Sequence, residues 1–395
     1  MTYRSLDATG LLDWLSTQPP LAARLGGTAQ DWTIREVSDG NLNIVHLVDG
    51  PAGKLCCKQA LPHVRVAPDW PMPLDRALFE ARYMRATAEA VRGLAPKFYV
   101  YDEALYLLVM ESLAGYEVLR PALMAGRAAP GFSAVIGHYV ARTVQATGWI
   151  SQPFETGSRL LEAFSGNTAL TRITVDLILT DPYTISSRNP PAEAGLRDDI
   201  RKLQNDPALH RAVGYFQSRF LTARQALLHG DLHTGSIMLK DGDVRVIDGE
   251  FATMGPIGFD CGLYVGNLAL HLCAAPQKAD SLRQEIVLFW ESFSSELRSL
   301  LSRGGGDMWS LSDATQRQDM LDDLLLDILK DMAGFCGLEM IRRTVGFAQV
   351  ADYDLCETEQ NRLLARQKAL QIGRTLLLKA SGVRSLSSLL SLMGL

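Results

Sequence analysis

From Trp32 to Ala60 the apolar residues come in short bursts separated by turn-forming clusters. Trp32, Ile34 and Val37 precede Ser38-Asp39-Gly40-Asn41. Leu42, Ile44, Val45, Leu47 and Val48 precede Asp49-Gly50-Pro51-Ala52-Gly53, and Leu55, Cys56 and Cys57 follow. Bursts of this length between such turns predict antiparallel strands. Ahead of them Leu11, Leu12, Trp14, Leu15 and Leu21 predict one amphipathic helix over 5–25, stopped by Gly26-Gly27. Pro62, Pro68, Pro71 and Pro73 bracket a loop containing Arg65 and Trp70. Leu74, Ala77, Leu78, Ala81 and Met84 then predict a helix to about Val91, and Phe98–Tyr101 and Leu105–Met110 predict two more strands around Asp102-Glu103. The first 110 residues therefore read as an α+β lobe of five strands with one internal helix.

After Glu111 helical periodicity dominates, over 117–125, 132–149, 158–179, 193–203, 207–225, 258–274, 278–302, 312–343 and 355–380. Short strands and glycine turns interrupt it once, at 227–257. The expected organisation is a β-rich lobe over 1–110, a hinge at 111–116, and a helical lobe over 117–395 with a hairpin insert at 227–257. Arg303-Gly304-Gly305-Gly306 joins two of the helices. At ~150 residues per domain, 395 residues fit two domains.

Composition narrows the class. Hydrophobic residues make up 47% and charged residues 21%, an ordinary globular balance. The net charge of −5 gives no broad basic field, which argues against a nucleic-acid partner. Six scattered cysteines, with no CxxC pair, read as reduced thiols of a cytoplasmic protein. Charges run through the first twenty residues where a secretory signal needs an apolar core. No apolar run reaches the length of a membrane span, so no membrane partner is expected.

The chemistry concentrates in the insert. Asp231, within His229-Gly230-Asp231-Leu232-His233, and the pair Asp248 and Glu250 flank a hairpin turned by Asp241-Gly242. The hairpin should bring both acidic centres to one end. Carboxylates grouped there suit Mg²⁺ and the phosphates it accompanies, and one left off the metal can accept a proton from a hydroxyl. His229 and His233 read as loop-fixing histidines. A transition-metal site built on them, as in a metallohydrolase, ranks lower because no further histidine or cysteine motif completes it. Neither a P-loop nor a G-x-G-x-x-G motif is present, so the turn Ser38-Asp39-Gly40-Asn41-Leu42-Asn43 is the available phosphate cover. Lys58 ends an apolar strand, where an unpaired ammonium is costly, and Glu80 is its expected partner. Arg342 and Arg343 interrupt an apolar helix, so at least one should face a cleft that binds oxygen-rich ligands.

The order of these features resembles the aminoglycoside phosphotransferase and protein-kinase-like fold. Finer matches resemble the methylthioribose kinase family. They are Ser38 to Asn43, Lys58-Gln-Ala-Leu-Pro62 with Val64-Arg65-Val66, Trp70-Pro71 with Leu74-Asp75-Arg76, and His229 to Ser236. Further on come Asp248-x-Glu250, Gly255 to Asp260, Gly266-Asn-Leu and Ile341 to Ala348. The resemblance runs from about residue 30 to 380 and implies a bilobal α+β fold, a small antiparallel sheet lobe with a larger mostly helical one. It implies transfer of the ATP γ-phosphate to the 1-hydroxyl of S-methyl-5-thioribose, in methionine salvage, with Mg²⁺ as cofactor. Asp231 then resembles the catalytic base, and Asp248 and Glu250 the metal ligands. Lys58, paired with Glu80, resembles the holder of the donor phosphates, and Asn43 and Gly249 match nucleotide contacts. Glu111, Ser112 and Leu113 match the adenine hinge, Arg342 and Arg343 the sugar and γ-phosphate contacts, and the loop around Trp70 a closing flap.

Ser236 stands where many relatives have asparagine, and Gly249 where they carry a bulkier residue, a change read as tolerable if only its backbone meets nucleotide. Relatives form dimers, so a homodimer is expected. The competing readings are a kinase of ribose or of another 5-substituted or 5-deoxy ribose, a kinase of an amino alcohol, and a silent nucleotide-binding protein. The arginine pair disfavours amine substrates, and the complete set of acidic residues with Lys58 disfavours the silent protein.

Overall fold

The computed structural model describes residues 3–37, 42–65, 67–302 and 304–395, with the side chains of 67 and 68 left aside. The predicted turn Ser38-Asp39-Gly40-Asn41, together with Val66 and Arg303, lies outside the described residues.

The chain begins with two helices rather than one, α1 (Ala8–Ser16) and α2 (Pro19–Leu25). Pro19 and Pro20 explain the break, because proline cannot donate the backbone hydrogen bond that a continuous helix needs but suits a first turn. Strands β1 (Thr33–Val37), β2 (Asn43–Asp49) and β3 (Lys54–Ala60) follow. The proline-bracketed segment, expected as a loop, contains the short hairpin β4 (His63–Val64) and β5 (Ala67–Pro71), whose register is irregular at His63/Val64. Helix α3 (Arg76–Thr87), β6 (Phe98–Asp102) and β7 (Leu107–Glu111) complete the sheet lobe. The five-stranded sheet has the order β1-β2-β3-β7-β6, antiparallel throughout.

Alternation along β3 decides what each face meets. Leu55 and Cys57 point outward with Val48, Leu107 and Val109, where Leu11, Leu15, Leu21 and Leu25 of the first two helices cover them. Cys56 and Ala60 point inward with Leu108 and Met110, against Ala77 and Ala81 of α3. Lys58 shares the inward phase.

The remainder is mainly helical. The expected helix over 117–125 starts as strand β8 (Glu117–Val118) and continues as α4 (Leu119–Met124). Helix α5 (Phe132–Thr147) comes next, and the expected 158–179 helix divides at Gly166-Asn167 into α6 (Phe154–Ser165) and α7 (Thr168–Leu177). Helices α8 (Arg197–Gln204) and α9 (Pro207–Thr222) precede the insert. There β9 (Ala226–Leu228) pairs with β12 (Thr253–Gly255), and β10 (Ile237–Lys240) pairs with both β11 (Asp243–Val246) and β8. Helices α10 (Gly258–Ala274), α11 (Ala279–Leu301), α12 (Ala314–Val345), α13 (Glu359–Lys379) and α14 (Leu386–Met393) close the chain. The last has no counterpart in the periodicity reading.

Every residue of α10 is buried, as an almost wholly apolar helix requires. Gly258, Gly262 and Gly266 form a stripe along it. A Cβ at these positions would come within 2.4, 2.6 and 3.0 Å of α12 atoms, so the stripe allows the close approach that sets Glu339 beside Asn267.

Candidate active site

The loop between β9 and β10 is pinned from both sides. Asp260, at the start of α10, accepts the amides of His229 (2.7 Å) and Gly230 (3.0 Å). The His229 ring accepts the Asp231 amide at Nδ1 (3.3 Å), so Nε2 carries the proton and donates to the Ile247 carbonyl (2.8 Å). The amide of Ile247 in turn donates to the Ser236 carbonyl (2.9 Å). These bonds hold Asp231 and Asp248 at the same end of the β10–β11 hairpin. Asp241 and Gly242 turn that hairpin with positive φ at both positions, the type I′ geometry that fits strand twist. Ser236 Oγ donates to the Asp231 carbonyl (2.9 Å), so that hydroxyl braces the loop.

The Asp231 carboxylate is contacted on both oxygens. Oδ2 lies 3.2 Å from His233 Nε2, and Oδ1 lies 3.5 Å from Arg342 Nη2 and 3.9 Å from Arg343 Nη2. Gly235 donates its amide to His233 Nδ1 (2.8 Å), which fixes the tautomer with hydrogen on Nε2. Burial pushes the His233 imidazole down to about 4, so the ring is neutral at pH 7 and donates as an N–H. Burial by itself raises the Asp231 carboxyl, but His233, Arg342 and Arg343 outweigh it and hold the group well below the usual carboxylate range.

Both arginines are buried and share one support. Glu339, fully buried one turn earlier on α12, accepts Arg342 Nε (2.6 Å) on one oxygen and Arg343 Nε (2.8 Å) on the other. Asn267 Nδ2 adds a bond of 2.9 Å to Glu339. Burial raises the Glu339 carboxyl, and the two guanidiniums more than reverse this, bringing it to about 2. Arg120 of α4 adds a third guanidinium, bonded to Thr234 Oγ1 (3.1 Å) and Asn267 Oδ1 (2.8 Å).

The second centre lies under the sheet. Lys58 Nζ pairs with Glu80 (2.8 Å), the partner expected from sequence, and also with Asp248. Burial lowers the Lys58 ammonium, but Asp248, Glu250 and Glu80 carry it well above its ordinary value. Glu80 is pushed up by burial to about 7 against the opposing charge of Lys58. Oxygens of Glu80, Asp248 and Glu250 all lie within 4.8 Å of one another, a hard-oxygen donor set. Asp248 takes a left-handed backbone conformation (φ +73°), a strained arrangement for a residue with a Cβ, and its carboxylate is substantially exposed. Glu250 is buried and accepts Asn43 Nδ2 (2.9 Å). Between them Gly249 has the Tyr83 ring of α3 where a Cβ would stand, at 2.5 Å. What faces this glycine is therefore an aromatic side chain of α3, which explains the small residue.

Glu111 is the last residue of β7 and Ser112 and Leu113 follow it directly; Glu111 accepts the Lys97 amide (3.0 Å) and Ser112 Oγ the Ala114 amide (3.3 Å). Trp70 packs edge-to-face on Phe347, four residues past Arg343, at 5.9 Å between ring centroids. Sequence reasoning passed over Glu339 and Arg120, and it assigned no role to Asn267 or Arg76, which it met only within matching motifs. For Glu339 a signal was present, since i+3 and i+4 spacing places a carboxylate beside both arginines. All six cysteines are unpaired. Among the described residues no helix is long and apolar enough to cross a membrane.

Comparison with known proteins gives the same picture. The model of the phosphotransferase enzyme family matches residues 33–283. The methylthioribose kinase of Escherichia coli is 36% identical, over 98% of this chain and 97% of its own length. Those of a Geobacillus species (37%; 94% and 93%) and Pectobacterium carotovorum (34%; 98% of each) are comparably similar. Among solved structures, an ethanolamine kinase from Plasmodium vivax aligns over 92% of this chain and 95% of its own, at 14% identity and a TM-score of 0.44. The α+β arrangement expected from sequence, a small antiparallel sheet lobe with a larger helical one, is the arrangement found. From the extent of the model match and the near-complete coverage of these relatives, the chain belongs to the phosphotransferase enzyme family, among its methylthioribose kinases.

Proposed function

We propose that this protein transfers the γ-phosphoryl group of ATP to the 1-hydroxyl of S-methyl-5-thioribose, giving the sugar 1-phosphate, ADP and a proton, as a step of methionine salvage. The observation that carries this reading is the convergence of Asp231 with Arg342 and Arg343 at one end of the hairpin, with Lys58 and three further carboxylates at the same end.

Phosphoryl transfer asks chiefly for alignment and for neutralisation of charge on the moving group. Asp231 orients the acceptor hydroxyl and takes its proton. Held below the ordinary carboxylate range by its neighbours, Asp231 is ionised and can accept that proton. His233 donates to Oδ2 and leaves Oδ1 as the oxygen directed towards Arg342 and Arg343. Those guanidiniums bind the sugar oxygens and the transferring group, with Glu339 keeping them in place. Lys58 leaves Asp248 for the donor phosphates while Glu80 retains its other side.

The donor set fits a hard divalent cation, because its atoms are all carboxylate oxygens and Asp248 is open to solvent. Asp248 and Glu250 would hold Mg²⁺, which when bound supplies neutralisation of the phosphate charge. Residues 111–116 form the hinge between lobes 1–110 and 117–395, with Glu111, Ser112 and Leu113 offering backbone groups to adenine. Asn43 and Gly249 shape the nucleotide side. The Trp70–Phe347 pair supplies an apolar wall suited to a thioether or another uncharged 5-substituent. A kinase of other 5-substituted or 5-deoxy riboses is therefore the second reading.

The test is ADP release with ATP and Mg²⁺ against S-methyl-5-thioribose, 5-deoxyribose, ribose, choline and an aminoglycoside. Preferred turnover of methylthioribose is expected. Preference for an amine substrate, or no ATP-dependent turnover of any ribose, overturns the reading.

A further inference from the structure

Arg76 occupies the first turn of α3, the end of a helix that least favours a cation, yet its side chain is wholly buried. Its hydrogen bonds go to protein oxygens of three separate segments. Nη1 donates to the carbonyls of Leu61 (2.7 Å) and Pro73 (2.8 Å), one on each side of the β4–β5 hairpin that carries Trp70. Nη2 donates to the Leu42 carbonyl (2.8 Å) and to Asn43 Oδ1 (3.0 Å), where β2 begins. Among the described residues Nε has no hydrogen-bond partner; it lies 3.9 Å from Glu250 Oε2, the oxygen that also accepts Asn43 Nδ2. One planar guanidinium thus joins the base of the Trp70 hairpin, the start of β2 and a carboxylate of the donor set. A lysine ammonium, a single point charge, cannot present that fork.

We propose that Arg76 is a positioning residue that couples the acceptor side of the site to its nucleotide side, so that sugar held beneath Trp70 strengthens binding of the nucleotide. This rests on the kinase reading above. Ordering the hairpin fixes the carbonyls of Leu61 and Pro73, these fix the guanidinium, and the guanidinium fixes Asn43 and Glu250. The first ligand thereby meets an ordering cost that the second is spared, which is positive coupling between two sites without a contact between the ligands. The coupling is reciprocal, so nucleotide strengthens sugar binding by the same factor.

The experiment is calorimetric titration of the full chain with S-methyl-5-thioribose and with a non-hydrolysable ATP analogue, each alone and in the presence of the other. It is run on wild type, Arg76→Lys and Arg76→Gln, alongside hydrogen exchange of the ligand-free proteins. Wild type is expected to show coupling of about tenfold. Arg76→Gln should reduce it to within about twofold, Arg76→Lys should restore part of it, and exchange should rise together in peptides covering 42–49 and 61–73. A variant that keeps the wild-type coupling factor, or wild type that binds both ligands independently, overturns the proposal. If Arg76→Gln does not fold, Arg76→Lys carries the same comparison. If wild type binds no ribose, the kinase reading fails, while exchange at the two peptides still decides whether Arg76 links them.

Discussion

Arg342 Nη2 lies 3.5 Å from Asp231 Oδ1, while Nε of the same guanidinium is held at 2.6 Å by Glu339. The arginine therefore stands between two carboxylates and is closer to the one that cannot reach solvent. Glu339 holds the guanidinium from its buried side, which in the proposed reaction keeps it in place when substrate oxygens compete for it.

Replacing Asp231 by asparagine keeps the shape and removes the proton acceptor. Turnover should fall by about 10²–10⁴, the usual contribution of a positioned acid or base. Nucleotide affinity should stay within about threefold of wild type, because Asp231 is assigned to the acceptor. Steady-state kinetics together with nucleotide titration checks both, and near-normal turnover removes Asp231 from this role.

Asp248→Asn and Glu250→Gln each delete one hard anionic donor while keeping the side-chain shape. The Mg²⁺ concentration giving half-maximal nucleotide binding should rise at least about tenfold for each. Titration of nucleotide binding with Mg²⁺, followed without turnover, is the measurement. An unchanged requirement in both variants rejects them as metal ligands.

Glu339 makes stability depend on pH in a defined window. Its carboxyl titrates at about 2 in the fold against an ordinary 4.5, so between these values the unfolded chain binds more protons and stability rises with pH. The contribution, of order 3 kcal/mol, is complete above about pH 5 and is lost as pH falls through the native value. Urea unfolding of wild type and Glu339→Gln from pH 2.5 to 7 should show the variant less stable at pH 7 and the gap closing in acid. A constant gap contradicts the assignment.

Gly249→Ala forces a methyl group against the Tyr83 ring. Overpacking of this kind costs about 1–3 kcal/mol. Combining it with Tyr83→Leu should recover part of that loss, a coupling that a double-mutant cycle in chemical denaturation measures. Strictly additive effects would show that the ring is not what requires glycine.

Much of this arrangement was readable from residue order. The β10–β11 hairpin announced itself through short apolar runs on either side of Asp241-Gly242, whose chemistry favours one turn type. Lys58 was conspicuous because an ammonium in an apolar strand needs an anion, and Glu80 answers it. Arg76 was not readable as a link, since an arginine opening a helix looks like a solvated charge until its four acceptor oxygens are seen. The β4–β5 hairpin was hidden by its prolines, which mark loops in sequence but are tolerated at edges and irregularities of short strands. The break between α1 and α2 had a clear signal in Pro19-Pro20 that the apolar spacing overrode.

The family match starts at residue 33, yet the outward side of the five-stranded sheet is sealed by Leu11, Leu15, Leu21 and Leu25, and Gln59 beside Lys58 accepts the Leu6 amide (2.8 Å). A fragment trimmed to the matched segment would therefore bare a greasy sheet surface and loosen Gln59, the neighbour of Lys58.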